Sequence, residues 1–220
     1  MNIPANQSVP DTYYVRDRFE MLPFIPGHAK KMLDVGCAEG GFASLVLSKR
    51  PDMEIWGIEP VEAAAQKAQT RLTRVLCSGI ESAIDQLPPA HFDCITFNDV
   101  LEHLIDPWAI LRMMREKLAP GGHLVASIPN LRYFPVMKQI VQEADLRYTN
   151  MGVLDRTHLR FFTQISMVQM FKDCGYNVER IEGINGEKLP FKMAVINRLT
   201  GGALNDMQYL QFAIAAMAAH

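Results

Sequence analysis

The chain has 220 residues, 49% hydrophobic and 21% charged, enough for one sizeable core. Lys and Arg number 22 against 24 Asp and Glu, a formal charge of −2, which speaks against a protein that grips nucleic acid by its phosphates. No apolar run reaches the ~18 residues of a membrane span, and the four cysteines (Cys37, Cys77, Cys94, Cys174) form no C-x-x-C pair, so a disulfide scaffold and a zinc ribbon are poor fits and reduced thiols in a cytoplasmic protein are expected.

Met1 to Pro10 is polar and lacks the pattern of a signal peptide. Residues 1–30 read as a helical cap, with Tyr13, Tyr14 and Arg18 folding over a ligand or packing on a sheet edge. Lys31–Val35 is a first strand that meets Gly36, and a helix is expected from Gly41 with Leu45 and Val46 inward. Glu54–Ile58 is a second strand ending at Glu59. Pro60 suits the first turn of the next helix, which places Val61, Ala64, Ala65, Ala68 and Leu72 on one face. Val75–Cys77 and Phe92–Phe97 are the third and fourth strands. Asp106-Pro107 opens a helix with a Leu111, Met114, Leu118 stripe, which Gly121-Gly122 is expected to stop. His123–Ile128 is the fifth strand.

Arg132–Arg147 reads as helical and Met151–Phe162 as a loop rich in charge and aromatics. Residues 131–162 together form a lid-like insertion. Thr163 caps a helix that runs to Cys174 and ends at Gly175. Tyr176–Ile181 and Met207–Ala216 are the final strands, although the alanines of the last run fit a helix as well. The thirteen methionines include Met113, Met114, Met167 and Met170 in helical stretches, where they read as core filler.

Short apolar strands alternating with helices predict an α/β, doubly wound, mostly parallel sheet that binds its ligand at the strands' carboxyl ends. Leu33-Asp34-Val35-Gly36-Cys37-Ala38-Glu39-Gly40-Gly41 is the strongest local signal there. Its glycines allow a sharp strand-to-helix turn and close approach of a ligand to the backbone. The spacing is G-x-A-x-G rather than G-x-G-x-x-G, and no Lys-Ser or Lys-Thr follows as in a phosphate loop. Asp34 would repel a pyrophosphate but suits a cationic amine or sulfonium. Glu59, after the second strand, suits the two hydroxyls of a ribose. An adenosine-bearing cation satisfies both, and a nicotinamide dehydrogenase fits less well.

This turn, with Gly57-Ile58-Glu59-Pro60, resembles the cofactor half of class I S-adenosylmethionine-dependent methyltransferases. Phe92 to Leu104 is similar to the fourth-strand motif of the subgroup that includes ubiquinone-type O-methyltransferases, and Leu118 to Leu124 to the turn before the fifth strand. The resemblance implies a Rossmann-like, seven-stranded sheet with the last strand antiparallel. It implies S-adenosylmethionine as cofactor, its amino-acid part along Asp34, Gly36 and the turn Cys37, Ala38, Gly40, and its ribose on Glu59. The adenine would lie between residues near Pro60 and Ile80, the sulfonium beside Asn98 and Val100. Gly79 stands where many relatives carry an adenine-binding Asp, which shifts that contact to backbone or Ser78. Cys37 is a helix-start thiol or merely a small turn residue. Gly152 to Thr163 is similar to bacterial methyltransferases of polysaccharide assembly.

An alcohol acceptor requires a general base. His103 is the first candidate, its other reading being a packing residue. His158 is the second, oriented by Asp155, unless Asp155 pairs with Arg156 or Arg160. Those arginines are candidates for an anionic acceptor such as a nucleotide-sugar phosphate. Tyr133, with Phe134, Phe161 and Phe162, is a candidate pocket wall; Asp99 and Glu102 adjoin it or cap a turn. No metal-ligand spacing is evident, so no metal is expected. The sequence thus predicts a small-molecule methyltransferase, preferably O-methylating a sugar or glycan precursor, with no nucleic-acid or membrane partner. N-methylation of an aminosugar and a non-catalytic cofactor-binding partner subunit are the alternatives.

Overall fold

A computed structural model describes residues 18–219. After a 3-10 helix at Phe19–Phe24, strands and helices alternate: β1 (Lys31–Val35), α1 (Gly41–Lys49), β2 (Glu54–Ile58), α2 (Glu62–Gln69), β3 (Arg74–Leu76), α3 (Ile80–Ala83) and β4 (Phe92–Asn98). A 3-10 turn at Leu101–His103 leads to α4 (Pro107–Arg115), β5 (Leu118–Pro129), α5 (Phe134–Gln142), α6 (Gln164–Asp173), β6 (Tyr176–Gly186), α7 (Phe191–Leu199) and β7 (Tyr209–Ala218). The seven strands form one sheet in the order β3-β2-β1-β4-β5-β7-β6. β1 to β5 run parallel, and β7 runs antiparallel to both of its neighbours. The expected Rossmann-like sheet is present.

The sequence makes this sheet two-sided. Successive side chains point to opposite faces, so Leu33, Val35, Ile95, Phe97, Leu124 and Ala126 enter one core and Met32, Cys94 and Val125 the other. Strands buried on both faces must be apolar throughout, hence the short unbroken runs. The chain builds outward from β1 to β3 and returns to place β4 on the other side of β1. That reversal opens a crevice at the carboxyl ends of β1 and β4, the place such sheets bind ligands.

Two expectations are corrected, and one left open between strand and helix is decided. The helix opened by Asp106-Pro107 ends at Arg115, before Gly121-Gly122. These glycines lie within β5, where the β4–β5 register shifts, and a Cβ on Gly122 would stand 2.9 Å from the carbonyl oxygens of Ala119 and Phe92. The last apolar run is strand β7, because it is hydrogen-bonded between β5 and β6. The expected N-terminal α-helix is a short 3-10 turn among the described residues, and Tyr13 and Tyr14 lie outside them. Finally, α7 had no forecast; none of its side chains is buried, and its apolar residues Phe191, Val195, Ile196 and Leu199 are exposed.

Candidate active site

At the end of β1 the chain turns into α1 through three left-handed residues in alternation, Gly36 (φ +71°), Ala38 (φ +48°) and Gly40 (φ +80°). Only glycine takes such angles freely. At Gly36 there is also no room, since a Cβ would meet Val100 Cγ2 at 2.6 Å. Cys37 is buried with its Sγ against Gly57, and burial pushes its thiol well above the usual range. The reactive-thiol reading is therefore set aside: Cys37 is a packing residue of the turn.

Two buried carboxyls flank this turn. Asp34, in β1 opposite Thr96 of β4, accepts a 2.6 Å hydrogen bond from the Thr96 hydroxyl. Burial pushes its pKa up to about 7, against the opposing pull of Thr96 and Arg18. Glu59, directly after β2, accepts one backbone N–H on each oxygen, from Ala38 and Val61, both at 2.9 Å. Those bonds fix the carboxylate's plane and leave one lone pair per oxygen for a diol. Burial raises its pKa and the two N–H groups pull it back.

Ile80 is buried, and Gly79 stands at the N-cap of α3 just past β3. Asn98 ends β4, and Val100 packs on Gly36. The amide nitrogen and oxygen of Asn98 and the hydroxyl of Ser78 are buried without a hydrogen-bond partner among the described residues. Buried polar groups are rarely left so, and these open onto the ends of β3 and β4. The cofactor-side residues read from the sequence thus lie together at or just past the carboxyl ends of β1 to β4.

A second cluster follows β4. His103 Nδ1 lies 3.2 Å from the Thr157 carbonyl and His158 Nδ1 2.9 Å from that of Val153. A carbonyl only accepts, so both Nδ1 atoms carry a proton, and in its neutral form each ring keeps a lone pair on Nε2. The two rings stand edge to face with centroids 4.6 Å apart. Burial and the neighbouring His158 imidazole hold His103 below the usual histidine range. His158 Nε2 is 3.9 Å from Glu102 Oε1, and Glu102 is 1% exposed. Its pKa is pushed well up, by burial first and then by Asp99.

The structure does not use Asp155 to orient His158: Asp155 Oδ1 accepts from the Thr157 N–H and hydroxyl, at 2.8 and 2.7 Å. Asp99 does not cap a turn either. It accepts from Arg18, from Ser127 Oγ (2.8 Å) and from Gln211 Nε2 (2.6 Å). Arg18 and Asp99 were named in the sequence, but nothing in it pairs them, and Gln211 gave no signal. Tyr133 joins Val136, Val153 and Leu154 in a small apolar cluster of the 131–162 segment. Arg156 and Arg160 are exposed, the latter donating to the Ile105 carbonyl.

The profile of a methyltransferase-domain family matches residues 11–181. The chain belongs to the class I S-adenosylmethionine-dependent methyltransferases. This methyltransferase is 35% identical over 120 residues to the ubiquinone biosynthesis O-methyltransferase of Idiomarina loihiensis, covering 50% of this chain and 48% of that one. To the trans-aconitate 2-methyltransferase of Methylobacterium radiotolerans it is 32% identical over 116 residues, 52% of this chain and 44% of the other. It therefore spans about half the length of these curated relatives. A SAM-dependent methyltransferase from Archaeoglobus fulgidus shares the fold, with TM-score 0.63 and 20% identity over 90% of this chain and 89% of that one.

The residues at the strand ends fit S-adenosylmethionine. Two carboxyls suit a ligand carrying an ammonium and a sulfonium. The outward lone pairs of Glu59 suit a ribose diol, and Ser78 and Asn98 offer unfilled hydrogen-bonding capacity. No described helix is long and apolar enough to cross a membrane.

Proposed function

We propose that this methyltransferase moves a methyl group from S-adenosylmethionine to a hydroxyl oxygen of a small-molecule acceptor, with a sugar or sugar-bearing glycan precursor the preferred class. The observation that carries the reading is the pair His103, just after β4, and His158, on the 131–162 segment, each with Nδ1 held by a backbone carbonyl and Nε2 left to accept a proton. An alcohol needs that; an amine or a thiolate does not. The two curated relatives are named as an O-methyltransferase and a trans-aconitate methyltransferase. The sugar preference rests on the resemblance of Gly152 to Thr163 and on the two arginines within it, Arg156 and Arg160, with the 131–162 segment covering the acceptor.

When bound, the cofactor supplies an electrophilic methyl on a sulfonium. Asp34 and the Gly36–Gly40 turn hold its amino-acid end, Glu59 its ribose, Gly79, Ile80 and Ser78 its adenine beside Pro60, and Asn98 and Val100 the sulfonium side. His103 or His158 receives the acceptor's proton at Nε2. The aromatic side of the lid, with Tyr133, excludes water from the reacting atoms.

Calorimetry with S-adenosylhomocysteine comes first: micromolar binding is expected, weakened at least about tenfold by Glu59→Ala, roughly 1.4 kcal/mol. The chain is then incubated with methyl-labelled cofactor and a panel of nucleotide sugars, aminosugars, catechols and carboxylates. Gain of a methyl on a sugar oxygen is the expected product. Transfer only to a phenol or carboxylate overturns the sugar preference, and transfer only to nitrogen overturns O-methylation. Binding without transfer to any of them favours a partner subunit.

A further inference from the structure

Glu102 is the least satisfied charged group among the described residues. It is 1% exposed, and neither carboxylate oxygen has a hydrogen-bond partner. Arg18 is committed to Asp99. A carboxylate buried in this way is costly unless a proton or a cation sits against it. What stands beside it is imidazole, with His158 Nε2 3.9 Å from Glu102 Oε1. His103 and His158 each spend the Nδ1 proton on a backbone carbonyl, which leaves both Nε2 atoms bare. One ligand atom from each of the three residues lies within 4.8 Å of the others.

We propose that Glu102, His103 and His158 form a binding site for one divalent first-row metal ion of the zinc class. Metal-bound imidazoles almost always donate the opposite ring N–H to a carbonyl or carboxylate, which fixes the tautomer and the ring plane. Both histidines meet that condition with no metal needed to impose it. Two nitrogens and one carboxylate form a donor set that zinc accepts. Bonds of about 2.0–2.2 Å would draw the three atoms inward from their present spacing. Three protein ligands leave a coordination position open, the pattern of reactive rather than structural sites. The approach is held by the backbone: the N–H groups of Leu159 and Arg160 both donate to the Glu102 carbonyl, at 2.8 and 3.0 Å, clamping the lid loop to the turn after β4.

The role of the ion rests on the O-methylation reading; its binding does not. An acceptor hydroxyl at the open position becomes more acidic. Its O–H bond breaks as the hydroxyl binds the ion, the proton leaving to solvent water before methyl transfer. Its oxygen then forms the new bond to the methyl carbon, while the C–S electron pair stays on sulfur. With the ion bound, His103 and His158 serve as its ligands, and the proton-accepting role given to them in the metal-free site passes to water.

The test uses the full chain stripped with a chelator, then titrated with Zn2+ by calorimetry and with Co2+ by visible absorption, with and without S-adenosylhomocysteine. One zinc per chain at micromolar or lower Kd is expected, with cobalt bands displaced by zinc. Glu102→Gln and His158→Ala each weaken binding at least about tenfold. His123→Ala, whose ring pairs with Glu179 away from the cluster, leaves it unchanged. Far-UV circular dichroism checks each variant; if one fails to fold, the wild-type cobalt spectrum and its zinc competition decide. No bound zinc or cobalt at submillimolar metal overturns the site in favour of a proton shared between Glu102 and His158. Equal binding by both folded variants overturns it as well. Full methyl transfer by the stripped enzyme overturns the activating role. Zinc binding at the cluster without transfer to any hydroxyl supports the site and counts only against O-methylation.

Discussion

Asp34 gives the cofactor pocket a pH dependence whose sign can be worked out. Its folded pKa is about 7 against an ordinary 3.8. Between those values the folded chain holds a proton that the unfolded chain has released, so this residue's contribution to stability falls as pH rises from about 4 to about 7. A cationic ligand favours the ionised carboxylate. Binding of S-adenosylmethionine is therefore expected to release a proton at pH 6 and to tighten as pH rises through 7. Calorimetry in buffers of different ionisation enthalpy measures this, and Asp34→Asn should flatten the profile. Gly36→Ala faces both a positive φ and the Val100 methyl at 2.6 Å. A left-handed alanine costs about 1–2 kcal/mol before that clash is counted. Thermal denaturation should show at least that loss, together with weakened S-adenosylhomocysteine binding.

At the scale of elements, start signals were legible and stop signals less so. Asp106 accepts from the Ala109 N–H at 3.0 Å with Pro107 behind it, as the sequence predicts. Thr163 and Ser166 cap α6 reciprocally. Removing either oxygen should cost about 1 kcal/mol. Urea denaturation of Asp106→Ala should show that loss with cofactor affinity unchanged, because α4 begins beyond the cofactor turn. Gly121-Gly122 misled because a glycine pair that ends a helix and one that admits a close backbone contact look alike in sequence. The contact exists only once β4 and β5 are side by side. The helix α7 did leave a signal, Phe191, Val195, Ile196 and Leu199 at helical spacing, but these side chains stay exposed and belong to no core.

Across the whole molecule, the grouping of Asp34, Gly36, Glu59, Ile80 and Asn98 at the strand ends was legible because each lies within a few positions of its strand's end. The cluster around Glu102 was not. Glu102 and His103 meet His158 only through the clamp between the 3-10 turn and the lid loop. Arg18, Asp99, Ser127 and Gln211 are likewise assembled from four distant places, tying the N-terminal turn to β5, β7 and the residue after β4. Arg18→Met strands Asp99 without its cation. Breaking a largely buried pair from one side costs about 3 kcal/mol. A fall in melting temperature of that scale is expected, whereas an exposed pair such as Lys30–Asp52 should be removable at little cost.

The position of β7 sets an order on synthesis. It is the seventh of the described strands in chain order, yet it lies inside the sheet, hydrogen-bonded to β5 on one side and β6 on the other. While the ribosome has yet to release residue 209, β5 keeps a bare edge and β6 has no neighbour to pair with. A nascent chain stalled there exposes the apolar central strand β5 as an edge, the state in which sheets recruit other chains. The sheet is thus more open to aggregation before translation delivers β7 than after it.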